Sequence, residues 1–337
     1  MVAGPRSATI ATIADEVGVS TTTVSKVLNG HADVAPATRA RVEASLERHR
    51  YRRRPRRQPA GIRQIDLAFP RFDSAWAMEI IRGVDAVATT ANANVVLSQL
   101  DGAHQPPQAW LDGVLARRPL GVVLVLCHPT PAQNRQLQRQ RIPFVVVDTD
   151  SATSASVPTV GSNNWNGGLI AARHLLELGH RRVAVISGPV DVLCSQARVA
   201  GFRSAHDEAG LKIAPELVRY GSFTATSGYE HGMALLTAPD RPTAIFAGSD
   251  LQALGVLRAA RQCGLDVPRD LSVIGYDNLP LAAWTGPALT TVNQPLHDMA
   301  STAARILLDL ANGVEPLTSR VDLVTELVVR ESTAPPR

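Results

Sequence analysis

The chain has 337 residues, about two to three times the usual single-domain length, so more than one domain is expected. A 45% apolar and 19% charged composition suits a large folded core and excludes a disordered chain, and with only 4% aromatics that core is mostly Val, Leu, Ile and Ala. The net charge of +4 is unevenly spread: residues 1–58 carry eleven basic side chains against five acidic ones, and the remainder carries 23 against 25.

At the N-terminus Asp15 and Glu16 interrupt the first apolar residues, so no signal-peptide core is read and the cytoplasm is the expected compartment. The first 50 residues predict three short helices. Ile10, Ile13, Ala14 and Val17 recur at helical spacing and form one apolar face. Gly18 can take the left-handed conformation that ends a helix, and Ser20 supplies an N-cap oxygen for a second. Val24, Val27 and Leu28 form that helix's buried face, and Asn29-Gly30 closes it. After a loop at 31–35, Pro36 suits a first helical turn, with Val42 and Leu46 continuing the apolar stripe. Two helices separated by a short turn around a glycine make a helix-turn-helix. The second presents Thr21, Thr22, Ser25 and Lys26 away from its apolar face, where short polar groups can reach base edges or phosphates. An ordinary helical hairpin with a polar outside is the plainer alternative. A basic module on a nearly neutral body favours a polyanion partner over a merely Arg-rich surface in a chain whose only lysines are Lys26 and Lys212.

Residues 12–30, TIADEVGVSTTTVSKVLNG, followed by 38–51, TRARVEASLERHRY, resemble the head of the LacI/GalR family of bacterial transcription regulators. The Ala-Asp, Gly-Val-Ser, Thr-Val-Ser-Lys-Val-Leu-Asn-Gly and Thr-Arg-x-x-Val pieces stand in the family's order and spacing. The resemblance implies that Thr21, Thr22 and Lys26 face bases in the major groove of double-stranded DNA. It implies that Ser20, Thr23, Ser25, Asn29 and His31 contact phosphates or brace the recognition helix. Ala35 departs from the family's usual capping Ser, so the third helix is expected to start less firmly, by about 1 kcal/mol.

Residues 51–61, YRRRPRRQPAG, hold five arginines and two prolines. In the family this stretch commonly folds into a hinge helix on DNA, with a Leu wedged into the minor groove. Here Ala60 occupies the wedge position, and Pro59 removes a backbone donor and clashes with a preceding helical turn. Two arrangements stay open. One is an extended linker laying Arg53, Arg54 or neighbouring arginines along the minor groove; the other is a flexible tether that touches phosphates only.

From residue 62 onward, strand patterns at 65–69, 95–98, 122–126, 144–147, 183–187, 244–247, 273–276 and 321–329 alternate with amphipathic stretches at 76–90, 167–178, 197–210 and 251–263. That alternation predicts an α/β body of parallel sheets covered by helices, long enough for two such units. The most conspicuous apolar run, 121–127, is far short of the roughly 18 residues of a membrane span. Cys127, Cys194 and Cys263 are odd in number and far apart, which argues for free thiols rather than disulfides or a CxxC metal site. No glycine is followed by another two positions later, so GxGxxG is absent, as are Walker A, GxSxG and HExxH. The histidines do not cluster at metal spacing, and no cofactor, metal or catalytic residue is expected.

The blocks HLLELGHRRVAVISGP (174–189), SQARVAGFRSA (195–205), RPTAIFAGSDLQALG (241–255), LSVIGYDNLPLA (271–282) and LTTVNQPL (289–296) extend the resemblance nearly to the C-terminus. They imply a periplasmic-binding-protein-like sensor of two α/β lobes around a ligand cleft. The expected division is a head at 1–50, a hinge linker at 51–61 and an effector-binding and dimerisation domain at 62–337. Within the last, one lobe is expected from about 62–160 with 290–320, the other from about 161–289 with 321–337.

By the motif match, Arg198 and Asp277 resemble the family's main polar clamps on effector hydroxyls. Ser249, Asp148, Gln294 and the loop at 72–74, with Phe72 and Asp73, are secondary candidates. Phe223, Trp165 and Trp284 offer faces to a sugar ring. Plainer roles compete: surface ion pairing for Arg198, a turn for Asp277, and capping of a helix starting at Leu251 for Asp250. Any tryptophan serves equally as core or interface, and Cys194 reads as a small filler.

The function expected is a homodimeric, sequence-specific repressor on a pseudo-palindromic operator, released by a small sugar. The wording of GSNNWNGG and GSDLQALG looks like that of an actinobacterial subgroup linked to plant sugars, so a pentose or xylose-containing effector is the specific expectation. The alternative is a nucleobase- or corepressor-activated regulator whose ligand strengthens DNA binding. An enzyme with such a head lacks its phosphate loop or base, and an exported solute-binding protein lacks its leader.

Overall fold

The computed structural model divides the chain into two compact units, residues 1–61 and 62–337. The structure describes residues 10–28, 34–49, 63–72, 74–102, 104–148 and 157–337. The Leu28 side chain, Asn29, His31, Arg53, Arg54, the rest of the expected hinge and Asp73 lie outside the described residues.

The head has three helices, α1 (Ile10–Val17), α2 (Thr21–Leu28) and α3 (Pro36–Arg48). Ile13, Ala14, Val17, Val24, Val27, Val34 and Val42 form one small core, the periodic apolar positions of all three helices meeting. Gly18 has φ +69, and the Val19 amide returns to the Ala14 carbonyl at 3.0 Å, ending α1 sharply. Ser20 Oγ then accepts from the Thr23 amide at 3.1 Å and starts α2. Ala35 brings only its backbone to α3, its carbonyl accepting from the Arg39 amide at 2.9 Å. The third helix is held to the first by polar contacts: Arg41 donates to the Val17 carbonyl, and Glu16 takes up Ser45 at 3.0 Å, Arg48 at 2.6 Å and His49.

The body contains two six-stranded sheets. The first is built of β1 (Gln64–Phe69), β2 (Asn94–Gln99), β3 (Gly121–Val125), β4 (Phe144–Val147), β5 (Thr159–Ser162) and, far along the chain, β11 (Arg320–Leu323). Its order is β11-β5-β4-β3-β1-β2, parallel throughout. The second comprises β6 (Val183–Ser187), β7 (Val218–Tyr220), β8 (Ala244–Ala247), β9 (Ser272–Asp277), β10 (Thr290–Asn293) and β12 (Glu326–Val328). Its order is β12-β10-β9-β8-β6-β7, parallel except for β12 against β10. Central strands such as VVLV in β3 and AIFA in β8 are buried on both faces, which is why they read as unbroken apolar runs.

Helices α4 (Ala75–Thr90), α5 (Gln108–Arg117), α6 (Pro131–Arg139) and α11 (Leu296–Ala311) cover the first sheet; α7 (Asn164–Glu177), α8 (Leu193–Glu208), α9 (Ala225–Leu236) and α10 (Asp250–Gln262) cover the second. Helices α7 and α8 cross at backbone contact. A Cβ at Gly168 would collide with the Arg198 carbonyl, and one at Gly201 with the Trp165 carbonyl.

The lobe borders differ from expectation. Strand β10 pairs in the second sheet, not the first, and the segment expected as one strand at 321–329 is two strands in different sheets. Between them the chain turns at Val324 and Thr325, where Thr325 Oγ1 donates to the Asn163 carbonyl at 3.2 Å and the Asn163 amide donates to the Leu323 carbonyl at 2.9 Å. The chain thus passes between lobes after β5, β10 and β11, and the first and third passages are bonded together.

Candidate recognition helix and effector cleft

In the head, Val24 and Val27 turn one face of α2 into the core and leave Thr21 and Thr22 exposed on another. Ser25 and Lys26 are half-buried and engaged in further contacts. Ser20 and Thr23 hydroxyls bond each other at 2.9 Å at the first turn, so these two brace the helix while Thr21 and Thr22 stay outward. Hydrogen bonds from His49 and Ser45 hold the Glu16 carboxyl below its usual range.

In the body, side chains from both lobes converge at the C-terminal ends of the strands, where open α/β sheets place ligands. Arg198, on the second turn of α8, is 3% exposed. Its Nε donates to Asn164 Oδ1 at 2.8 Å, one terminal nitrogen to the Gly248 carbonyl at 2.5 Å, and the other to Gln294 Oε1 at 3.2 Å. Gln294 Nε2 donates in turn to Asp148 Oδ2 at 3.3 Å, so an amide on the passage after β10 links the guanidinium of one lobe to a carboxylate of the other. Below Arg198 lies Tyr276, whose hydroxyl donates to the same Asn164 oxygen at 3.2 Å. Phe223 closes the other side, 5.3 Å from the guanidinium carbon, and its ring fills the space a Cβ at Gly188 would need.

Asp148 and Asp277 end β4 and β9 with φ +50 and +108, backbone conformations that turn a strand end sharply. Both are buried. Burial lifts the Asp148 carboxyl above its usual range and the Asp277 carboxyl well above it, with Arg198 opposing the shift in each case. Two buried carboxylates thus share one fixed cation. Such a site is short of hydrogen-bond donors, which a ligand rich in hydroxyl or ring N–H groups supplies.

The remaining candidates divide. Trp165, on the first turn of α7, is 43% exposed and lines a cavity beside the cluster with Asp148 and Asn164. Phe72 packs edge-on against Phe69, 6.2 Å between ring centres, on the first-lobe core. Ser249 is taken up locally: its hydroxyl is the N-cap of α10, accepting from the Gln252 amide at 3.1 Å. The expectation that Asp250 caps that helix is therefore corrected. Its carboxylate instead accepts from the Leu279 amide at 2.7 Å and Thr291 Oγ1 at 2.5 Å, tying α10 to the strand ends. Burial pushes its carboxyl up to about 7. Trp284 is 88% exposed on the turn Pro280–Trp284 and lines no part of the Trp165 cavity. Burial pushes the Cys194 thiol up to about 12, which makes it unreactive.

Sequence reasoning does not single out Asn164 or Tyr276. Both stand inside the blocks SNNWNGG and LSVIGYDN, but neither carries a charge to draw notice. Among the described residues no three His, Cys, Asp or Glu side chains group to hold a metal, and no helix is long and apolar enough to cross a membrane.

A helix-turn-helix head and a body of two parallel α/β lobes around a polar cleft define a DNA-binding, solute-sensing class of protein. The chain belongs to the lacI family of bacterial regulatory proteins and is a DNA-binding transcription regulator rather than an enzyme. Residues 9–54 match the model of that family, and residues 172–333 match the periplasmic binding protein-like domain. The chain is 34% identical over 338 aligned positions to the HTH-type transcriptional repressor PurR of Salmonella arizonae, covering 97% of each. Among solved structures it is similar to a transcriptional regulator CelR–cellobiose complex, with TM-score 0.71, 32% identity and coverage of 96% of this chain and 99% of that one. It is similar also to the lac repressor dimer bound to operator and the anti-inducer ONPF, with TM-score 0.69, 26% identity and coverage of 98% and 100%.

Proposed function

We propose that the chain is a cytoplasmic repressor that binds a pseudo-palindromic operator as a homodimer and is released by a small sugar. In this reading residues 1–50 are the head, 51–61 the linker and 62–337 the sensor. Thr21, Thr22 and Lys26 read bases; Ser20, Thr23, Ser25, Asn29 and His31 serve phosphates or the helix itself, and Arg53 and Arg54 follow the minor groove. Arg198 and Asp277 clamp the effector, assisted by Asp148, Gln294, Ser249, Phe223, Trp165, Phe72 and Asp73.

The observation that carries the sugar assignment is the donor-poor cluster of Asp148 and Asp277 around a single guanidinium. Carboxylates and a planar guanidinium bind vicinal hydroxyls bidentately once water is excluded, and Phe223 and Trp165 suit the apolar face of a ring. The solved relative with cellobiose bound points the same way. A pentose or xylose-containing sugar is the specific proposal, in a sugar-responsive branch of the family. Closure of the lobes on such a ligand changes the order or spacing of two heads, biasing a two-state equilibrium.

A second reading is favoured by the 34% identity to PurR: a nucleobase that strengthens DNA binding. The sign of the ligand's effect separates the two. Thermal unfolding against a panel of sugars and nucleobases identifies the ligand through mass-action stabilisation. Operator titration with and without it then shows release for the first reading and tighter binding for the second.

A further inference from the structure

Beside the Arg198 cluster lies a cavity of about 180 Å³, bounded by the end of β5, the first turns of α7 and α8, and β11. Arg198, Asp277 and Phe223 do not line it; Asp148 and Asn164 are the wall it shares with the cluster. A cavity of about 150 Å³ admits a six-membered ring, so this one holds a single ring.

The lining pairs polar groups with an apolar mouth. Ser162 is 5% exposed, and its Oγ has no hydrogen-bond partner. Leaving a buried hydroxyl unpaired costs stability. Helix α8 opens after Val192 without a side-chain cap, so its first-turn amides lack intrahelical acceptors. Asp148 contributes acceptor oxygens, as does Asp322, which takes a 2.8 Å hydrogen bond from Arg320. Trp165 and Leu193 supply half-exposed apolar surface.

Two carboxylates beside one guanidinium oppose an anion, while the lone hydroxyl and the uncapped amides oppose a purely apolar occupant. A neutral polyol ring answers both. Its hydroxyls donate to Asp148 and Asp322 and accept from Ser162 and the α8 amides, and its C–H face lies on the indole.

We propose that this cavity is a second ring subsite and that the effector has at least two linked sugar rings, one held by Arg198 and Asp277 and the next by Ser162, Asp322 and Trp165. This rests on the sugar reading of the adjoining cluster.

The test is calorimetric titration of the full chain with xylose, xylobiose, glucose, cellobiose, hypoxanthine and guanine, repeated on Trp165→Ala and Ser162→Ala. In the unaltered protein one disaccharide binds at least about tenfold tighter than its monosaccharide, equivalent to about 1.4 kcal/mol. That ratio falls toward one in Trp165→Ala and drops in Ser162→Ala, whose melting temperature does not fall because an unpaired hydroxyl has been removed. Equal affinity for mono- and disaccharide, or a ratio unmoved by both substitutions, overturns the subsite and leaves the sugar reading standing. Binding of a nucleobase without any sugar, or of no sugar at all, overturns the sugar reading and the subsite with it.

Discussion

The guanidinium of Arg198 sits over the ring of Tyr276, its carbon 3.6 Å from the ring centre. That contact fixes the one cation of the cleft against a neutral face, leaving its edges for Asn164, Gly248 and Gln294. Because burial raises the Tyr276 phenol far above its usual range, the ring stays neutral and the arrangement persists across the physiological pH range.

Arg198→Ala therefore removes the only positive group between Asp148 and Asp277. Breaking a buried pair of this kind costs about 3–5 kcal/mol, so the melting temperature falls and the ligand-induced rise disappears. Arg198→Lys keeps the charge and loses the fork, and recovers stability better than effector affinity. Thermal unfolding with and without ligand checks both. Operator affinity of the folded Arg198→Ala protein, measured by fluorescence anisotropy, stays near the unaltered value; its loss would contradict the division of labour.

In the head the effects reverse. Thr22→Ala or Lys26→Ala lowers operator affinity by about 1–3 kcal/mol for each base the side chain reads, with the effector's melting shift retained. Lys26→Ala also reduces the slope of log affinity against log salt by about 1. An unchanged slope and affinity in Lys26→Ala would remove that residue from the DNA surface.

Much of the head is legible in the sequence because its core is local: Ile13, Val17, Val24 and Val42 announce their helices by spacing, and Gly18 and Ser20 punctuate them. The body's central strands are legible for the same reason. Short strands are not. TVGS in β5 and VRY in β7 carry little β-pattern of their own and exist because neighbouring strands offer an edge. The break at Val324 and Thr325 is invisible because RVDLVTELV alternates smoothly across it. In the cleft, charged Arg198 and Asp277 can be picked from motifs, whereas Asn164 joins the site only through a bond spanning 34 residues and Tyr276 through one spanning 112.

Asp250 gives the body a pH dependence. Its carboxyl, pushed by burial up to about 7 when folded, lies near 3.9 when unfolded. Between those values the folded protein binds more protons, so this group's contribution is fully present below about pH 4 and is lost as pH rises through about 7. The raised carboxyl of Asp277 acts in the same direction. Urea unfolding at pH 5, 6, 7 and 8 should show stability falling more steeply with pH than in Asp250→Asn, which cannot titrate there. Identical slopes would place the Asp250 titration elsewhere.

Gly168→Ala tests the packing that carries Arg198. The added methyl meets the Arg198 carbonyl, and overpacking of this kind costs about 1–3 kcal/mol. Helix α8 has to retreat, so effector affinity falls together with the urea midpoint. A midpoint at the unaltered value would show that the crossing has slack.

The most direct measurement selects binding sites for the full chain from randomised duplex DNA, then titrates the selected duplex against rising concentrations of the sugar that stabilises the protein thermally. The outcome expected is enrichment of a two-fold symmetric site, bound as a dimer and released as the sugar saturates, with Arg198→Ala bound and unreleased. Enrichment of no symmetric site, or binding indifferent to every ligand that stabilises the body, would contradict it.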